Sequence, residues 1–348
     1  MEKSLIDKSD PKFVTPRIRE SYPPQMQGFP IPYYDPDFPQ DVKLETRKQV
    51  GEQMEKMMGC DGGLMQGWER ITIEGGCPEE EDQPALIMEI KIPEGKKKKK
   101  PVVFSVCGGG LVYCSPIMFQ TYSNYFADEM GAISVLPVYR TCIDAPYPAA
   151  VNDLHAAYKW VVEHADEIGA DPENIVLFGT SSGAHLALAL AFRLKRYGYR
   201  PRGCVADNPI TDFRPNKSSS RYYISDGEWS GENVRDNALM YLGKENICSP
   251  FLGPEAYANL ATVEDCAGLC PMYIATRNID VDVQYNLEFV NKLLEAGVPV
   301  DYHIINGTSH GMGAYAATDE NVAELYRLIN EELFNDVREL ITYDLRVK

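Results

Sequence analysis

The sequence predicts an α/β protein whose largely parallel sheet is covered by helices on both faces. Short apolar runs of strand length alternate with longer runs in which apolar residues recur at helical spacing. One short run leads through a turn of glycine and serine directly into an apolar helical run. Of the 348 residues, 44% are hydrophobic and 24% are charged, which is typical of a folded globular chain and excludes disordered, collagen-like and coiled-coil classes.

Strands and helices are predicted in alternation from residue 68 onward. On the helix predicted over residues 149–168, Val151, Leu154 and Tyr158 belong to one apolar stripe. Further helices are predicted at 184–192, 283–296 and 321–340. The predicted strands cover residues 68–73, 85–92, 102–106, 133–139, 175–178, 204–207, 272–276 and 300–305.

Two regions depart from this alternation. The first forty residues are rich in proline, which removes hydrogen-bond donors, so we expect an extended arm there, followed by a helix at 41–58. The interval from 210 to 269 is long enough to be an insertion. Because open α/β sheets bind ligands beyond the carboxyl ends of their strands, an insertion at this position can roof a site. The alternative is a solvent-side excursion with a small core of its own.

Charge, cysteine content and the lengths of apolar runs indicate which partners and which cellular location to expect for the protein. A net charge of −17 argues against nucleic acid, since such binding needs clustered Lys and Arg. We expect the one basic cluster, 96–100, to form a solvated hairpin or connection, with a binding patch as the alternative. The nine cysteines form neither an even framework nor paired C-x-x-C motifs. No apolar run has the length of a signal-peptide core at the N-terminus or of a membrane span. We expect a cytoplasmic protein with no membrane or nucleic-acid partner and no metal.

The most specific motif is the turn Gly179-Thr180-Ser181-Ser182-Gly183, which lies between a predicted strand and a predicted helix. A G-x-S-x-G turn in this setting is typical of a nucleophile elbow, in which small flanking residues let the backbone bend and expose the serine hydroxyl. Ser181 is therefore the candidate nucleophile. For the motif alone, a plain strand-to-helix turn is the alternative.

A serine nucleophile needs a base within hydrogen-bond reach and a third group that orients the base. His310 follows the last predicted strand, and Asp280 follows the strand before it, so both are expected at one edge of the sheet. The order Ser, Asp, His is the order of the α/β-hydrolases. Asp282 is an alternative acid because it lies only two residues further on. The other histidines, on helices or within a strand, are less suitably placed; they are His155, His164, His185 and His303.

Donors for an oxyanion are predicted directly after the strand at 102–106. There Cys107 is followed by three glycines, which expose backbone N–H groups and allow a carbonyl to approach. Together with the N–H of Ser182, those of Gly108 and Gly109 are the candidate oxyanion hole. A phosphate loop is the alternative, but the lysine of the P-loop motif is missing.

From about Val102 to His310 the chain resembles the hormone-sensitive-lipase-like family of α/β-hydrolases. Beside the glycine run and the elbow, the resemblance rests on Tyr139-Arg140, the segment 146–150, Asp153, Asp171-Pro172, Asp280 and His310-Gly311. The chain departs from the family pattern at Cys107 (usually histidine), Thr180 (aspartate), Ser182 (alanine), Ala184 (glycine) and 141–144. Because the family's histidine braces the glycine loop, Cys107 bears on the rigidity of the predicted oxyanion hole.

The resemblance implies an α/β-hydrolase fold with a mostly parallel eight-stranded sheet. It implies an N-terminal arm and cap helix at 1–65, a core at 66–210 and 270–348, and a cap insertion at 211–269 after the sixth strand. Members are cofactor-free carboxylic-ester hydrolases, usually of short acyl chains, and often pair as homodimers through edge strands or terminal helices. The residues predicted to bind substrate are Tyr222, Tyr223 and Trp229 of the cap insertion and Met312, which lies two residues after His310.

The predicted function is therefore a serine carboxylesterase that acts on small or short-acyl esters through an acyl-enzyme. One alternative is a ligand receptor that kept the hydrolase pocket without turnover, since function depends on sites and not on the fold. Amide or peptide cleavage by the same three residues is the second alternative.

Overall fold

Eight strands form one sheet in the part of the chain that the structure, a computed structural model, describes. That part comprises residues 45, 49, 64–95, 99–214, 231–243, 246, 249–310 and 320–346. The order of the strands across the sheet is β1-β2-β4-β3-β5-β6-β7-β8. The strands are β1 (Glu69–Ile73), β2 (Leu86–Lys91), β3 (Lys100–Val106), β4 (Ile133–Val138), β5 (Ala170–Thr180), β6 (Gly203–Asp207), β7 (Met272–Ile279) and β8 (Val300–Ser309).

The pairing brings the carboxyl ends of seven strands to one edge. Strand β2 pairs antiparallel with both β1 and β4, so β1 runs in the same direction as β4, β3, β5, β6, β7 and β8, which are parallel to one another. The register places Val106 opposite Gly179, and Thr180 opposite Asp207. The loops that leave β3, β5 and β6 therefore start side by side.

Helices cover both faces of this sheet. They are α1 (Pro116–Asp128), α2 (Ala149–Glu163), α3 (Ala165–Ile168), α4 (Ser182–Arg196), α5 (Gly231–Leu242), α6 (Val263–Cys266), α7 (Val283–Glu295) and α8 (Glu320–Thr342). Along β5, alternate residues pack on opposite sides: Leu177 belongs to the core under α2, α4 and α7, and Phe178 to the core under α1 and α8. This confirms the predicted fold class.

Outside the interval 211–269, the observed helices differ from the predictions at two places. The helix predicted over 149–168 is divided at His164 into α2 and α3. Helix α1 was not predicted, although Pro116 in its first turn and the buried Phe119 and Phe126, seven residues apart, are signals for a helix.

Several predicted segments fall outside the described residues. The N-terminal arm is one of them, and within the helix predicted at 41–58 only Glu45 and Gln49 are described, both of them helical. The interval predicted to be an insertion is described at 211–214, 231–243, 246 and 249–269, where it contains α5, α6 and a short 3₁₀ turn at Ala258–Leu260. Among the described helices, none combines the length and the apolar character needed to cross a membrane.

Candidate active site

Ser181 lies between β5 and α4 in a backbone conformation that serine seldom adopts. Its φ of 55° and ψ of −126° place it outside the regions that L-residues favour, and its N–H donates to the Asp207 carbonyl at 2.8 Å. At Gly183 an added Cβ would lie 2.2 Å from the Val106 carbonyl oxygen, so only glycine allows α4 to begin this close to β3. The turn therefore has the sharpness of a nucleophile elbow.

The structure brings the side chains of Ser181, His310 and Asp280 together. The Ser181 Oγ lies 2.7 Å from Nε2 of His310, and Nδ1 of the same ring lies 2.7 Å from Oδ2 of Asp280. The register places Ile279 opposite Ser309, so Asp280 and His310 leave neighbouring strands at the same level. A carboxylate can only accept here, so Nδ1 carries the proton and Nε2 is free to accept that of the serine hydroxyl.

Asp282, the alternative acid, lies directly beside this group. Its backbone N–H donates to Oδ1 of Asp280 at 2.9 Å, and its carbonyl accepts the Asn286 N–H at the start of α7, also at 2.9 Å. The two aspartates are both buried. The carboxylate 2.7 Å from the ring is that of Asp280, while the backbone of Asp282 helps to orient it.

Sequence reasoning missed Asn208, the first residue after β6. Its Nδ2 lies 2.7 Å from Asp280 Oδ2 and 2.7 Å from His310 Nδ1. Its φ of 53° is in the left-handed region, which asparagine tolerates better than most residues. The signal available in the sequence was an Asn-Pro pair directly after a predicted strand, at the edge where Asp280 and His310 were expected.

The glycine loop after β3 packs against the elbow. A Cβ added to Gly108 would lie 3.5 Å from the Ser181 Cβ and 2.7 Å from the Thr180 carbonyl oxygen. The next carbonyl, that of Gly109, accepts the N–H groups of Val112 at 3.2 Å and Tyr113 at 3.1 Å, which tightens the loop. Helix α4 begins at Ser182, whose N–H has no acceptor within the helix. The predicted donors thus belong to segments adjoining Ser181.

Three hydrogen bonds anchor this loop from outside it. The Tyr139 hydroxyl donates to the Cys107 carbonyl at 2.6 Å, and the Cys142 N–H donates to the Leu111 carbonyl at 2.8 Å. The third donor is the Asn237 amide, which reaches from α5 to the Gly110 carbonyl at 2.7 Å. Neither side-chain anchor was predicted, although Tyr139 belonged to a motif that supported the family resemblance.

Cys107 itself lies in the core, fully buried. Burial, together with a hydrogen bond to the Cys114 thiol, holds the pKa of the Cys107 thiol well above its ordinary value. Burial likewise raises the pKa of the Tyr139 hydroxyl. Because the thiolate is the nucleophilic form of cysteine, a thiol kept neutral in this way supports a packing role for Cys107.

The other four histidines are engaged away from Ser181. Burial lowers the pKa of His185 to about 4, and its Nδ1 lies 2.9 Å from the Ile210 carbonyl oxygen. The pKa of His155 is also lowered to about 4, by burial and then by the Arg193 charge. His164 stacks on Trp160, and His303 pairs with Asp301 and Glu332.

Among the described residues, two clusters bring three potential metal-ligand atoms within 4.8 Å of one another. The first is Cys77, Glu79 and His155, where the Arg193 guanidinium lies 3.2 Å from a Glu79 oxygen and supplies the positive charge that a cation would bring. The second is Asp280, Asp282 and His310, whose ring is already bonded to Asp280 and Ser181. The prediction of no metal and no cofactor stays a prediction.

The four residues predicted to bind substrate lie outside the described part of the chain. They are Tyr222, Tyr223, Trp229 and Met312.

Comparison with known proteins places this geometry in context. A family model described as the alpha/beta hydrolase fold matches residues 103–314. Hormone-sensitive lipase of Mus musculus is 32% identical over 130 residues, which cover 37% of this chain and 17% of the lipase. Esterase LipI of Mycobacterium tuberculosis is 29% identical over 235 residues, covering 62% of this chain and 67% of that protein. The matched segment thus spans only a small part of the lipase.

Solved structures show the same fold. A bacterial heroin esterase superposes with a TM-score of 0.81 at 23% identity, over 92% of this chain and 98% of its own. An esterase of Pyrobaculum calidifontis gives a TM-score of 0.71 at 22% identity, over 92% and 98% of the two chains. With the family match and the lipase relatives, these structures confirm the resemblance predicted from the motifs.

The close approach of α4 to β3 predicts that Gly183→Ala destabilises the fold. The added methyl would overlap the Val106 carbonyl, and we expect a loss of about 1–3 kcal/mol in the free energy of unfolding, measured by urea denaturation. Gly253→Ala is the matched control, because nothing lies within 4 Å of its added Cβ. Equal effects of the two substitutions would contradict the packing argument.

Proposed function

The chain belongs to the α/β-hydrolase fold family, and on that premise we propose that it is a serine carboxylic-ester hydrolase acting on small or short-acyl esters. The observation that carries the proposal is the continuous line of contacts from the Ser181 hydroxyl through His310 to Asp280, each of 2.7 Å. The three side chains come from three separate loops at one edge of the sheet. Such convergence matches the requirements of acyl transfer for a nucleophile, a base and an orienting acid.

In the proposed reaction, the Ser181 Oγ attacks the ester carbonyl carbon while its proton passes to Nε2 of His310. Asp280 holds the ring through Nδ1 and stabilises the positive charge that forms on it. The tetrahedral intermediate collapses when the ring returns the proton to the departing alcohol, which leaves an acyl group on Ser181. Water, deprotonated by the same ring, then attacks the acyl carbon, and the ring returns this proton to the Ser181 Oγ as the bond to the acyl group breaks and the acid is released.

The N–H groups of Gly108, Gly109 and Ser182 are the proposed oxyanion donors. Each such donor contributes on the order of 3 kcal/mol to the transition state, provided that it is held in place before the reaction. Support for this comes from the bonds that Tyr139 and Asn237 donate to the loop. In our proposal these bonds supply the bracing that the family obtains from a histidine at the position of Cys107.

We further propose that the segments 1–65 and 211–269 form a cap over the core at 66–210 and 270–348. The described part of the insertion supports this division. Helix α5 of the insertion contacts the glycine loop through Asn237, and the Tyr241 carbonyl of the same helix accepts the Tyr147 N–H at 2.7 Å. Tyr222, Tyr223, Trp229 and Met312 remain the proposed substrate contacts.

The two alternatives, a receptor without turnover and an amidase, predict different experimental results. A receptor without turnover would bind esters and leave them intact, so rapid labelling of Ser181 by an organophosphate, followed by turnover of an ester, would exclude it. An amidase would cleave amides at rates comparable with those for the matched esters. We favour the ester because the relatives and solved structures named above are lipases and esterases.

The test of the proposed function is a chain-length series of p-nitrophenyl esters. We expect hydrolysis that is fastest for short acyl chains and a fall in kcat on the order of 10⁶-fold in Ser181→Ala, as for the serine of other triads. Binding of ester without release of p-nitrophenol would contradict the proposal, as would unchanged turnover in Ser181→Ala.

The proposed base also predicts how the rate varies with pH. Because the ring of His310 must be neutral to accept the Ser181 proton, kcat/KM should rise with pH on the acid side and then level off. The measurement is kcat/KM for p-nitrophenyl acetate from pH 5 to 9. A rate independent of pH over this range would argue against a histidine base.

The contact between α5 and the glycine loop predicts that the insertion affects the rate of the chemical step. Asn237→Ala removes the donor to the Gly110 carbonyl, and we expect kcat to fall by about 10- to 100-fold because the proposed oxyanion donors are less well held. The control is Asn246→Ala, also between β6 and β7, whose amide donates to the nearby Leu242 carbonyl. Similar kcat values for the two variants would contradict the proposed bracing.

A further inference from the structure

Asn208 is not one of the three predicted catalytic residues, but its side chain contacts both His310 and Asp280. It is buried, and its Nδ2 lies 2.7 Å from both Asp280 Oδ2 and His310 Nδ1. Since those two atoms are themselves 2.7 Å apart, the three polar atoms form a nearly equilateral triangle.

Hydrogen bonds on the other side of the amide determine which of its atoms faces the triangle. The Arg277 N–H donates to Asn208 Oδ1 at 3.2 Å, and the Thr276 hydroxyl donates to it at 3.3 Å. Because a backbone N–H can only donate, Oδ1 must point toward β7 and Nδ2 toward Asp280. The left-handed backbone of Asn208, with φ of 53°, holds the amide in this direction.

We propose that Asn208 is a positioning residue that keeps the imidazole of His310 neutral, and therefore active as a base, at lower pH than Asp280 alone would permit. The inference rests on the proposed function, since it assigns Asn208 a role in the same reaction. Asn208 reaches no substrate atom in this role and acts only through its two partners.

Two effects of the amide act in the same direction. First, its N–H donates to Asp280 Oδ2 and draws negative charge away from the imidazole. Asp280 therefore stabilises the protonated ring less. Second, the positive end of the amide dipole lies 2.7 Å from Nδ1, which carries more positive charge when the ring is protonated. Both effects favour the neutral ring.

The charged groups around the imidazole oppose this effect and are partly balanced. From the segment between β7 and α7, Asp280 and Asp282 favour the protonated ring. From the end of β6, Asp207 would do the same, but Arg277 of β7 pairs with it at 2.7 Å. Within this acidic group, Asn208 contacts Asp280 and supplies a donor without adding a charge.

The test compares Asn208→Gly with the unaltered chain. Glycine adopts the left-handed conformation freely, so this variant removes the amide and leaves the backbone as it is. Asn208→Ala repeats the removal with a Cβ present. Asn152→Ala is the matched control: Asn152 is an equally buried asparagine on α2, and its partners are Glu80 and Arg193.

We expect the acid limb of kcat/KM for p-nitrophenyl acetate to move about one pH unit higher in Asn208→Gly and Asn208→Ala. The plateau at high pH should fall by less than about tenfold, and the limb of Asn152→Ala should not move. A lower plateau with an unmoved limb would show that Asn208 is merely structural and would overturn the proposal, as would an equal shift in the control.

A second measurement follows the imidazole directly and needs no substrate. The chain has five histidines, and burial lowers the pKa of His155 and that of His185 to about 4, which sets two of the five imidazole NMR signals apart. His310→Gln identifies the signal of His310. We expect this signal to titrate at higher pH in Asn208→Gly, and an unchanged titration would overturn the role of Asn208.

The two proposals can fail separately. If the unaltered chain hydrolysed no ester, the proposed function would fail, while this titration would still test Asn208.

Discussion

The backbone of Ser181, held in a left-handed conformation between β5 and α4, is the constraint on which the rest of the site depends. Such a conformation costs on the order of 1–3 kcal/mol and persists only where the surroundings enforce it. Here they do so through the bond from the Ser181 N–H to Asp207 and through the close approach of Gly183 to β3. The hydroxyl is thereby presented at the edge of the sheet where the neighbouring parallel strands also end.

At the same edge, the buried carboxylate of Asp280 needs hydrogen-bond partners from several elements. Asp280 is 1% exposed, and a carboxylate so far from water is stable only when most of its acceptor sites are occupied. Its oxygens accept from His310 after β8, from Asn208 after β6 and from the Asp282 backbone at the start of α7. The spacing of parallel strands thus determines the electrostatics of the proposed base.

The glycine loop after β3 is held in place by groups that lie outside it. Cys107 directly precedes its three glycines, and its thiol is buried and kept neutral. The loop is held through its carbonyl groups, by Tyr139 after β4 and by Asn237 of α5. Helix α5 is therefore linked directly to the loop that carries the proposed oxyanion donors.

Local patterns in the sequence were sufficient to predict the α/β class, the eight strands to within a few residues and the three side chains that the structure brings together at Ser181. Apolar periodicity is a property of neighbouring residues, and a G-x-S-x-G turn with Asp and His after later strands depends only on chain order. The contacts of Asn208 and Asn237 could not be predicted in this way. They join residues 72, 102 and 127 positions apart, and whether such residues meet depends on strand order and register. Only the tertiary structure decided that an asparagine after β6 would contact the His310–Asp280 pair, because a side chain's partners at a sheet edge are set by which strands lie next to it.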